Sequence, residues 1–280
     1  MTEQPATSQK RAKTTVLRAL GFCGVDDSVS PRFLGAVSHL YPKVEFGVLF
    51  RPDKEGQPRY ASPEWVQKLS SVAAKSNGKM KLAAHLCGSR VNEVLDGNDS
   101  FLSTLPTLGF QRVQINATAV NGVDVSRLGD MVDSFLSVVA RHPELEFILQ
   151  KNEETKPLWN GLLQMDSHEA GPSGFLLPNV SMLVDESKGT GITSTTPWPT
   201  PPSNDEYKIG YAGGIGPSNI HTVLADVMVA GSGHAIWIDM ESKLRSFKND
   251  MDVFDLDKCY EVIDATCSVG FHSHPDYLKG

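Results

Sequence analysis

Several features that would place this chain in a specialised class are missing from its sequence. No apolar run is long enough to span a bilayer, and residues 1–13 (MTEQPATSQKRAK) lack the apolar core of a secretory signal. Basic residues are in deficit, because 26 Lys and Arg against 33 Asp and Glu give a formal net charge of -7. A protein with this charge is not expected to bind nucleic acid through a basic surface. We therefore expect neither a nucleic-acid partner nor a membrane partner.

Cysteine is also scarce, and the cysteines present form no recognisable pair. They stand at Cys23, Cys87, Cys259 and Cys267, without a CxxC motif or the spacing of a structural zinc site. Because nothing else in the sequence indicates secretion, we expect reduced thiols and a cytoplasmic protein. The polar residues 1–13 are expected to form a disordered N-terminal tail.

The apolar residues fall into eight short runs that are typical of β-strands. Hydrophobic residues make up 40% of the chain and charged residues 21%, as in an ordinary globular protein. Helical patterns separate most of the runs, and successive runs begin roughly thirty residues apart, the length of one βαβ unit. The predicted strands are Val16–Phe22, Phe46–Phe50, Met80–Leu86, Arg112–Asn116, Leu145–Gln150, Val180–Asp185, Lys208–Ala212 and Ala235–Asp239. The clearest predicted helices are Ser62–Leu69, Ser126–Arg141, Pro217–Ala230 and Leu256–Thr266.

This order of elements predicts an α/β fold, a single (β/α)8 TIM barrel that spans residues 14–268. A doubly wound open sheet is the alternative, and it is less favoured because no GxGxxG motif follows the first strand. Residues 269–280 are predicted to form a C-terminal tail. The stretch 193–205, rich in Pro and Thr, predicts a long loop after the sixth strand. Trp198 within that loop indicates a packed lid on the face where such barrels carry chemistry.

A double glycine, Gly213-Gly214, follows the seventh predicted strand, and a helical pattern begins soon after it at Pro217. Glycine has no Cβ atom, so its backbone can approach a ligand closely, and a helix N-terminus adds a favourable dipole. The motif therefore predicts a phosphate or other anion site, with a small phosphorylated or anionic metabolite as the partner. A purely steric need for glycine in a strand-to-helix turn is the alternative.

Several strand ends, taken in order, resemble phosphoribosylanthranilate isomerase, a TIM-barrel family that performs an Amadori rearrangement. The resemblance covers nearly the whole barrel and implies an isomerase of the aldose–ketose type, or a lyase, that acts on a small phosphorylated sugar derivative. The similar segments are Gly21–Gly24, Phe46–Phe50 with Pro58–Pro63, Val113–Ile115, Leu183–Asp185 with Gly189–Gly191 and Trp198, and Ala212–Ile215.

The resemblance also implies roles for two strand-end residues. Cys23, with a lowered pKa, would be the general base and Asp185 the general acid, because an aldose-to-ketose isomerisation needs an acid and a base on opposed sides. Such proton transfers need only side chains, so no organic cofactor is expected, and no metal is expected either. Further strand-end residues are expected to contact the substrate, namely Arg59, His85, Gln114, Asn116, Lys188, Gly191, Gly213, Gly214 and Glu241.

The chain departs from the family's pattern in three places. Gly21 stands where the family has a lysine, Asn116 where its fourth strand ends in histidine, and Asp239 and Glu241 where its eighth strand runs into Ser and Gly. An unpaired carboxylate would repel a phosphate, so we expect the anion site only if Glu241 turns away or pairs with a cation. A non-catalytic phosphate-ligand-binding barrel that has lost the isomerase chemistry is therefore the alternative function.

The two proposed catalytic residues have structural interpretations as well. A free cysteine such as Cys23 is often a small buried hydrophobe, and an aspartate such as Asp185 can anchor a loop. His85 and Cys87 could ligate a metal together with a carboxylate of the eighth strand. A hydrogen-bonded His85 is favoured instead, because no spacing motif supports a metal.

The carboxylates of Asp239 and Glu241 leave two interpretations open. Paired carboxylates shift each other's pKa and can perform acid–base chemistry. The alternative is that they form ion pairs with Lys243 or Arg245.

Overall fold

The computed structural model describes residues 14–169, 177–185, 187, 191, 197–202, 207–271 and 273 of the 280-residue chain. Eight parallel strands form a closed barrel, in which each strand pairs with the next and β8 pairs with β1. The (β/α)8 fold predicted from the sequence is therefore confirmed. The strands are β1 Val16–Cys23, β2 Val44–Phe50, β3 Lys81–Leu86, β4 Arg112–Ile115, β5 Glu146–Lys151, β6 Val180–Asp185, β7 Lys208–Ala212 and β8 Ala235–Met240.

Seven α-helices and several short 3-10 helices connect the strands within the described residues. The α-helices are α1 Pro31–Leu40, α2 Pro63–Ala74, α3 Ser89–Leu95, α4 Val132–Arg141, α5 Lys156–Glu169, α6 Ile220–Ala230 and α7 Leu256–Ser268. The 3-10 helices are Pro52–Lys54, Leu102–Thr104, Pro106–Leu108, Ala119–Asn121, Val125–Met131 and Ser242–Leu244. Some sequence predictions concern residues outside the described part of the chain, namely the N-terminal tail 1–13, Lys188, most of the loop 193–205 and most of the C-terminal tail 269–280.

The outer faces of the strands and the inner faces of the helices form the main hydrophobic core. Helix α4 shows the pattern: Phe135 and Val139 are four residues apart, so they share one face and are both buried. Phe135 packs edge-on against Phe147 of β5, with ring centroids 6.0 Å apart. Burying one such side chain contributes roughly 1.5–3 kcal/mol to the free energy of folding.

The start of α2 follows a local sequence signal, whereas the start of α6 does not. Ser62 caps α2 by accepting a hydrogen bond from the Trp65 amide, as the Ser-Pro-Glu signal predicts. Helix α6 begins at Ile220, not at the predicted Pro217. The side chain of Asn219 accepts from the Gly216 amide and donates to the Gly214 carbonyl, which folds this segment into a turn ahead of the helix.

The N-terminal end of the barrel interior holds charged side chains. Arg112 of β4 donates to Glu45 of β2 at 2.7 Å and to Glu146 of β5 at 3.1 Å. Glu146 also accepts from Arg18 of β1. We call these four residues the barrel floor. Charges removed from water must be paired, and ion pairs connect the four residues of the floor in one continuous chain.

An indole ring lies between the floor and the opposite end of the barrel. Trp237 of β8 is fully buried, and the Arg112 guanidinium lies 4.5 Å from its ring centroid. Glycine at position 210 of β7 makes room for this ring, because a Cβ atom there would lie 2.0 Å from the indole. Trp237 packs with Ile148 and Leu183 in a small apolar cluster, so the middle of the barrel is filled.

A β-hairpin that the sequence analysis did not predict follows β8. Its strands are β9 Arg245–Lys248 and β10 Met251–Phe254, paired antiparallel. Arg245 is buried, donates to Asp26 at 2.7 Å and to Asp252 at 2.8 Å, and also reaches the Gly24 carbonyl. The hairpin thereby fixes the loop after β1, at the end of the barrel where β1 and β8 finish.

The described part of the long loop after β6 does not cover the barrel mouth. Trp198 packs edge-on against Tyr211 of β7, and the Tyr211 hydroxyl donates to the Pro199 carbonyl. Tyr211 belongs to the main core outside the barrel, so the prediction of a lid over the active face is wrong for residues 197–202. Among the described residues, no helix is both long and apolar enough to cross a membrane.

Candidate active site

The C-terminal ends of the strands surround a cavity of about 260 Å³. This volume lies just below the ~300–1,000 Å³ of typical ligand pockets, so the cavity suits a small metabolite. The proposed site residues that fall within the described part of the chain all line it, whereas Lys188 lies outside that part. The lining includes Cys23, Arg59, His85, Gln114, Asn116, Asp185, Gly191, Gly213, Gly214, Asp239 and Glu241.

Three ionisable side chains converge in the deepest part of this mouth. The Cys23 thiol donates a hydrogen bond to Asp239 Oδ1, with a sulfur–oxygen distance of 3.0 Å. His85 Nε2 lies 3.7 Å from Cys23 Sγ and 3.9 Å from Asp239 Oδ2. The three residues come from β1, β3 and β8, and each is at least 94% buried.

Burial favours the neutral form of each of these groups. It raises the pKa of the Cys23 thiol well above its ordinary value, and the charge of Asp239 adds to the effect. It also raises the pKa of Asp239 to about 7. The pKa of His85 falls to about 3, first through burial and then through the positive charge of Arg112. The lowered pKa expected for Cys23 is therefore wrong: the surroundings of the thiol are acidic and dry, not cationic.

Two inward-facing glycines allow the three side chains to meet. A Cβ atom at Gly47 of β2 would lie 2.8 Å from both Cys23 Sγ and His85 Nε2. A Cβ atom at Gly21 of β1 would lie 1.7 Å from Asp239 Oδ1. Gly21 pairs with Asp239 in the register of β1 and β8, so the aspartate side chain lies across the glycine. The lysine that the resembled family has at this position would displace that carboxylate.

Glu241 is the first residue after β8, enters the mouth there and is paired with a cation. Its Oε1 lies 3.4 Å from Arg59 Nη1. Burial raises the pKa of Glu241, while the charges of Arg59 and Arg245 act against this rise. The alternative, in which Asp239 or Glu241 forms ion pairs with Lys243 or Arg245, is not found among the described contacts. Asp239 contacts Cys23 instead, and Arg245 pairs with Asp26 and Asp252.

Arg59 is held at the rim by several partners. Its Nε donates to Asp252 of the hairpin at 3.0 Å and its Nη1 to Ser242 Oγ at 3.1 Å. The backbone of Arg59 has a φ of 78°, which side-chain-bearing residues rarely adopt, and its amide donates to Asp26. A substrate anion that binds Arg59 must therefore compete with the carboxylates already on it. Arg51, which follows β2 and also lines the cavity, pairs locally with Asp53.

Asp185, at the end of β6, has partners for both carboxylate oxygens. Oδ1 accepts from the amide and hydroxyl of Ser187, and Oδ2 accepts from Gln150 Nε2 at 3.0 Å. The Asp185 carbonyl accepts from Asn152. These contacts anchor the loop after β6, but the carboxylate still lines the cavity. The structural and the functional interpretation of Asp185 therefore both fit the geometry.

The amides of β4 form a chain along one wall of the cavity. Gln114 Nε2 donates to Asn116 Oδ1 at 2.8 Å, and Asn116 Nδ2 reaches the sulfur of Cys87 at 3.3 Å. Cys87 is thus a neighbour of Asn116, and the idea that His85 and Cys87 act as a ligand pair is wrong. Gln114 Oε1 is buried and has no hydrogen-bond partner among the described residues.

The glycine loop after β7 reaches the cavity at its rim. Gly213 and Gly214 have φ values of 109° and 64°, so both need the conformational freedom of glycine. Gly191 approaches from the loop after β6, where an added Cβ atom would lie 3.2 Å from Ser242 Oγ. The N-terminus of α6 does not line the cavity, because the turn held by Asn219 precedes it. Phosphate binding by this loop remains a prediction.

Some functional candidates were not found from the sequence. Gln150 contacts Asp185, Ser242 contacts Arg59, and Gly47 opens the space between Cys23 and His85. Gln150 ends a predicted strand, which is a usable signal because strand ends meet at the mouth of a barrel. The role of Gly47 could not be seen without the register of the strands.

Comparisons with known proteins show the fold and no family. No protein-family model matches the chain, and no curated protein matches it. Among solved structures, a phospho-2-dehydro-3-deoxyheptonate aldolase from Thermotoga maritima matches 91% of this chain and 69% of its own chain, with 10% identity and a TM-score of 0.50. A D-allulose 3-epimerase from a Methylomonas species matches 91% of this chain and 98% of its own, with the same identity and TM-score. This chain is similar to both enzymes in its TIM-barrel fold.

Proposed function

We propose that the chain is an enzyme that isomerises or cleaves a small sugar derivative by general acid–base catalysis. The observation that carries the proposal is the hydrogen-bonded pair of Cys23 and Asp239 at the wall of a metabolite-sized cavity. A group with a pKa of about 7, such as Asp239, can both accept and release a proton at neutral pH. Perturbed ionisable groups in a cleft are typical of active sites. The similarity to an aldolase and a sugar epimerase in fold supports the choice of reaction class by analogy alone.

In this proposal the pair acts as the base. The thiol of Cys23 does not ionise readily by itself, so a proton taken from a substrate carbon is shared along the 3.0 Å bond to Asp239. Asp185, two strands away on β6, is the acid that protonates the leaving or ring oxygen. Its contacts with Gln150 and Ser187 fix the direction of its carboxyl group.

The proposal extends to a phosphorylated substrate similar to that of phosphoribosylanthranilate isomerase. The glycine loop at Gly213 and Gly214 would hold the phosphate by backbone amides. Glu241 would not oppose this binding, because its charge is paired with Arg59.

Turnover of phosphorylated and unphosphorylated sugars by the whole chain tests the reaction. Cys23→Ala and Asp185→Ala should each lower the rate on the order of a hundredfold or more. Cys259→Ala is the matched control, since Cys259 is a buried cysteine of α7 far from the cavity. Wild-type rates from both mouth variants would rule out the assigned roles.

Thermal stabilisation by inorganic phosphate tests the anion site. Gly214→Val should remove the stabilisation that phosphate gives to the wild-type protein. Gly78→Val is the control, because Gly78 has a similar φ of 75° but lies in an open turn with nothing near its missing Cβ atom. Unchanged stabilisation in Gly214→Val would remove the phosphate from the proposal and leave the sugar.

A non-catalytic binder is the second candidate function. The observation that favours it is the full occupation of the Asp185 carboxylate by Ser187 and Gln150, as expected of a loop anchor. A sugar phosphate that raises the melting temperature and is never converted would support this function.

A further inference from the structure

We propose that Cys23, His85 and Asp239 bind a divalent transition-metal ion of the zinc class, with an open coordination position that faces the cavity. The inference goes beyond the proposed function and does not rest on it, because metal ligation needs no substrate. The three side chains offer one thiolate sulfur, one imidazole nitrogen and one carboxylate oxygen, all within 4.8 Å of one another. These are the donor types that zinc takes from proteins.

The separations between the donor atoms fit a single ion. With metal–ligand distances of about 2.0–2.3 Å, tetrahedral coordination places two ligand atoms roughly 3.3–3.6 Å apart. The observed separations are 3.0 Å from Cys23 Sγ to Asp239 Oδ1, 3.7 Å from Cys23 Sγ to His85 Nε2 and 3.9 Å from His85 Nε2 to Asp239 Oδ2. The two oxygen distances belong to different oxygens of one carboxylate, so a rotation of the Asp239 side chain would place a single oxygen near the tetrahedral separation from both the sulfur and the nitrogen. One donor atom from each residue already lies within 4.8 Å of the other two.

The three ligands come from separate strands, so the barrel itself holds them in place. Their strands β1, β3 and β8 are joined through the backbone hydrogen bonds of a closed sheet. Gly47 is the one residue of β2 between Cys23 and His85, and its missing Cβ atom leaves the space in which an ion would lie. A donor set built on rigid strands loses little conformational freedom on binding.

Three protein ligands beside a cavity are typical of a catalytic ion and not of a structural one. Structural zinc sites are usually closed by four protein ligands, whereas catalytic sites keep a position for water or substrate. Gln114 Oε1 is also buried without a partner in the described part of the chain, and Gln114 lines the same cavity. A water molecule or hydroxyl on the ion would give this oxygen a donor.

A cysteine nucleophile activated by histidine fits the geometry less well. In such an arrangement the carboxylate orients the histidine by a hydrogen bond. Here Asp239 bonds to the thiol itself, and its nearest approach to His85 Nε2 is 3.9 Å. Within the described part of the chain, Cys23 Sγ, His85 Nε2 and the Asp239 carboxylate contact one another, as expected of ligands around a common centre.

A bound ion would change how the mouth acts on a sugar derivative. It would polarise a carbonyl or hydroxyl oxygen in the cavity as a Lewis acid. Cys23 would then be a ligand and not part of the base. The metal proposal and the base assignment for Cys23 are therefore separable by experiment.

Titration of the chelator-treated full chain with Co²⁺ tests the site, because cobalt replaces zinc and reports its ligands by absorption. We expect one equivalent to bind, with a near-ultraviolet sulfur-to-cobalt charge-transfer band and visible bands of tetrahedral intensity. Cys23→Ser should lose the charge-transfer band, and His85→Gln and Asp239→Asn should each weaken binding at least about tenfold. Cys87→Ala is the matched control and should keep the band.

Gly47→Ala provides a test that leaves every ligand in place. The added methyl group would lie 2.8 Å from both Cys23 Sγ and His85 Nε2, so it should block the ion. Circular dichroism of this variant and of Cys23→Ser, which changes one atom, establishes that the barrel is folded. The proposal is overturned if wild-type protein shows no charge-transfer band, if the band survives Cys23→Ser, or if Cys87→Ala removes it. A protein that binds Co²⁺ in this way but converts no sugar would overturn the proposed function and support the metal site.

Discussion

The two ends of the barrel interior hold ionisable side chains under opposite conditions. At the floor, Arg112 and Arg18 neutralise Glu45 and Glu146 at distances of 3.1 Å or less. The pKa of Glu146 falls to about 2 in spite of its burial, because the charges of Arg112 and Arg18 outweigh the loss of water. The Glu146 carboxylate of the floor is thus stable as a charge.

In the deepest part of the mouth, burial favours the neutral forms of Cys23, His85 and Asp239. Among the described residues, only His85 lies within ion-pair distance of Asp239, and the pKa of His85, about 3, keeps that imidazole uncharged at neutral pH. The pKa of Asp239 therefore rises to about 7, and that of Cys23 rises as well. Burial alone does not account for the difference between Asp239 and the floor carboxylates, since Asp239 and Glu45 are both buried; the floor carboxylates have arginine partners, and Asp239 has none among the described residues.

The comparison indicates that the two ends of the barrel interior have different roles. Ion pairs at the floor satisfy the charges that the narrow interior encloses, and Trp237 closes that end toward the middle. At the mouth, Cys23, His85 and Asp239 are not neutralised by an arginine of the described part of the chain, so they are available to exchange a proton or to bind a cation or a substrate. Residues that are costly to bury are typical of functional sites, which sacrifice stability for reactivity.

Removal of the central cation of the floor should have the largest effect on stability. Arg112→Ala leaves Glu45 buried without its partner and leaves Glu146 with Arg18 as its remaining arginine partner. We therefore expect a loss of about 3–5 kcal/mol in the free energy of unfolding. Urea denaturation followed by circular dichroism measures the change. Lys156→Ala breaks an exposed pair with Glu153 and should cost at most about 0.5 kcal/mol. Similar losses from the two variants would contradict the distinction between the floor and the surface.

Acid should weaken the floor through Glu146. Its pKa is about 2 in the folded protein and about 4.5 in the unfolded chain, so its contribution is full above pH 4.5 and is lost as the pH falls toward 2. The difference of 2.5 pH units corresponds to about 3 kcal/mol. Between pH 5 and pH 2.5, which covers most of this titration, the wild-type protein should therefore lose about 2.4 kcal/mol more than Glu146→Gln does. If the free energy of unfolding from urea denaturation changed with pH in the same way for both proteins, the ion pairs of Glu146 would not stabilise the fold.

The sequence predicts the barrel well because its signal is repeated. Each strand is an apolar run, buried on both faces, and the spacing of the runs is that of βαβ units. Once the strands form a closed barrel, a residue at the end of a strand, such as Cys23 or Asp185, lies at the mouth. The candidate residues can therefore be chosen from the topology alone. Neither the contact of Cys23 with Asp239 nor the direction of its pKa shift follows, because both depend on strand register and on Gly21.

Two missed features had signals in the sequence. Arg18 and Arg112 interrupt or begin apolar strands, and buried charges of this kind need partners from other strands. Asn249 and Asp250 both have positive φ, at 50° and 59°, which is the conformation of a two-residue hairpin turn. Asn and Asp between short alternating runs are typical of such turns. The contact of the hairpin with Asp26 is a tertiary feature that no local pattern predicts.

The layer between the two ends should tolerate little added volume. In Gly210→Ala the new methyl group would lie 2.0 Å from the Trp237 ring, which forces the indole or the strand to move. Such overpacking costs about 1–3 kcal/mol. Thermal unfolding measures the loss, and a change in tryptophan fluorescence reports the displaced ring. Gly129→Ala is the control, since its Cβ atom would meet Pro157 at an ordinary 3.8 Å. Equal stability of both variants would show that Trp237 is not closely packed.

The smallest effect should come from the mouth, and its sign should be opposite. Asp239→Asn keeps the hydrogen bond from Cys23 and removes a carboxylate that is buried without a strong cation. The folded-state pKa of Asp239, about 7, lies above the value of about 3.8 for an unfolded aspartate, so protonation favours the folded state; this stabilisation is full below pH 3.8 and is lost as the pH rises from there to about 7. At pH 8, in the presence of a chelator, the variant should be more stable than the wild type by on the order of 1 kcal/mol, because the new amide needs partners of its own. At pH 5 the gain should vanish, since the wild-type carboxyl is then already neutral. Urea denaturation at both pH values measures the difference, and destabilisation at pH 8 would show that Asp239 is paired at the mouth as firmly as Glu146 is at the floor.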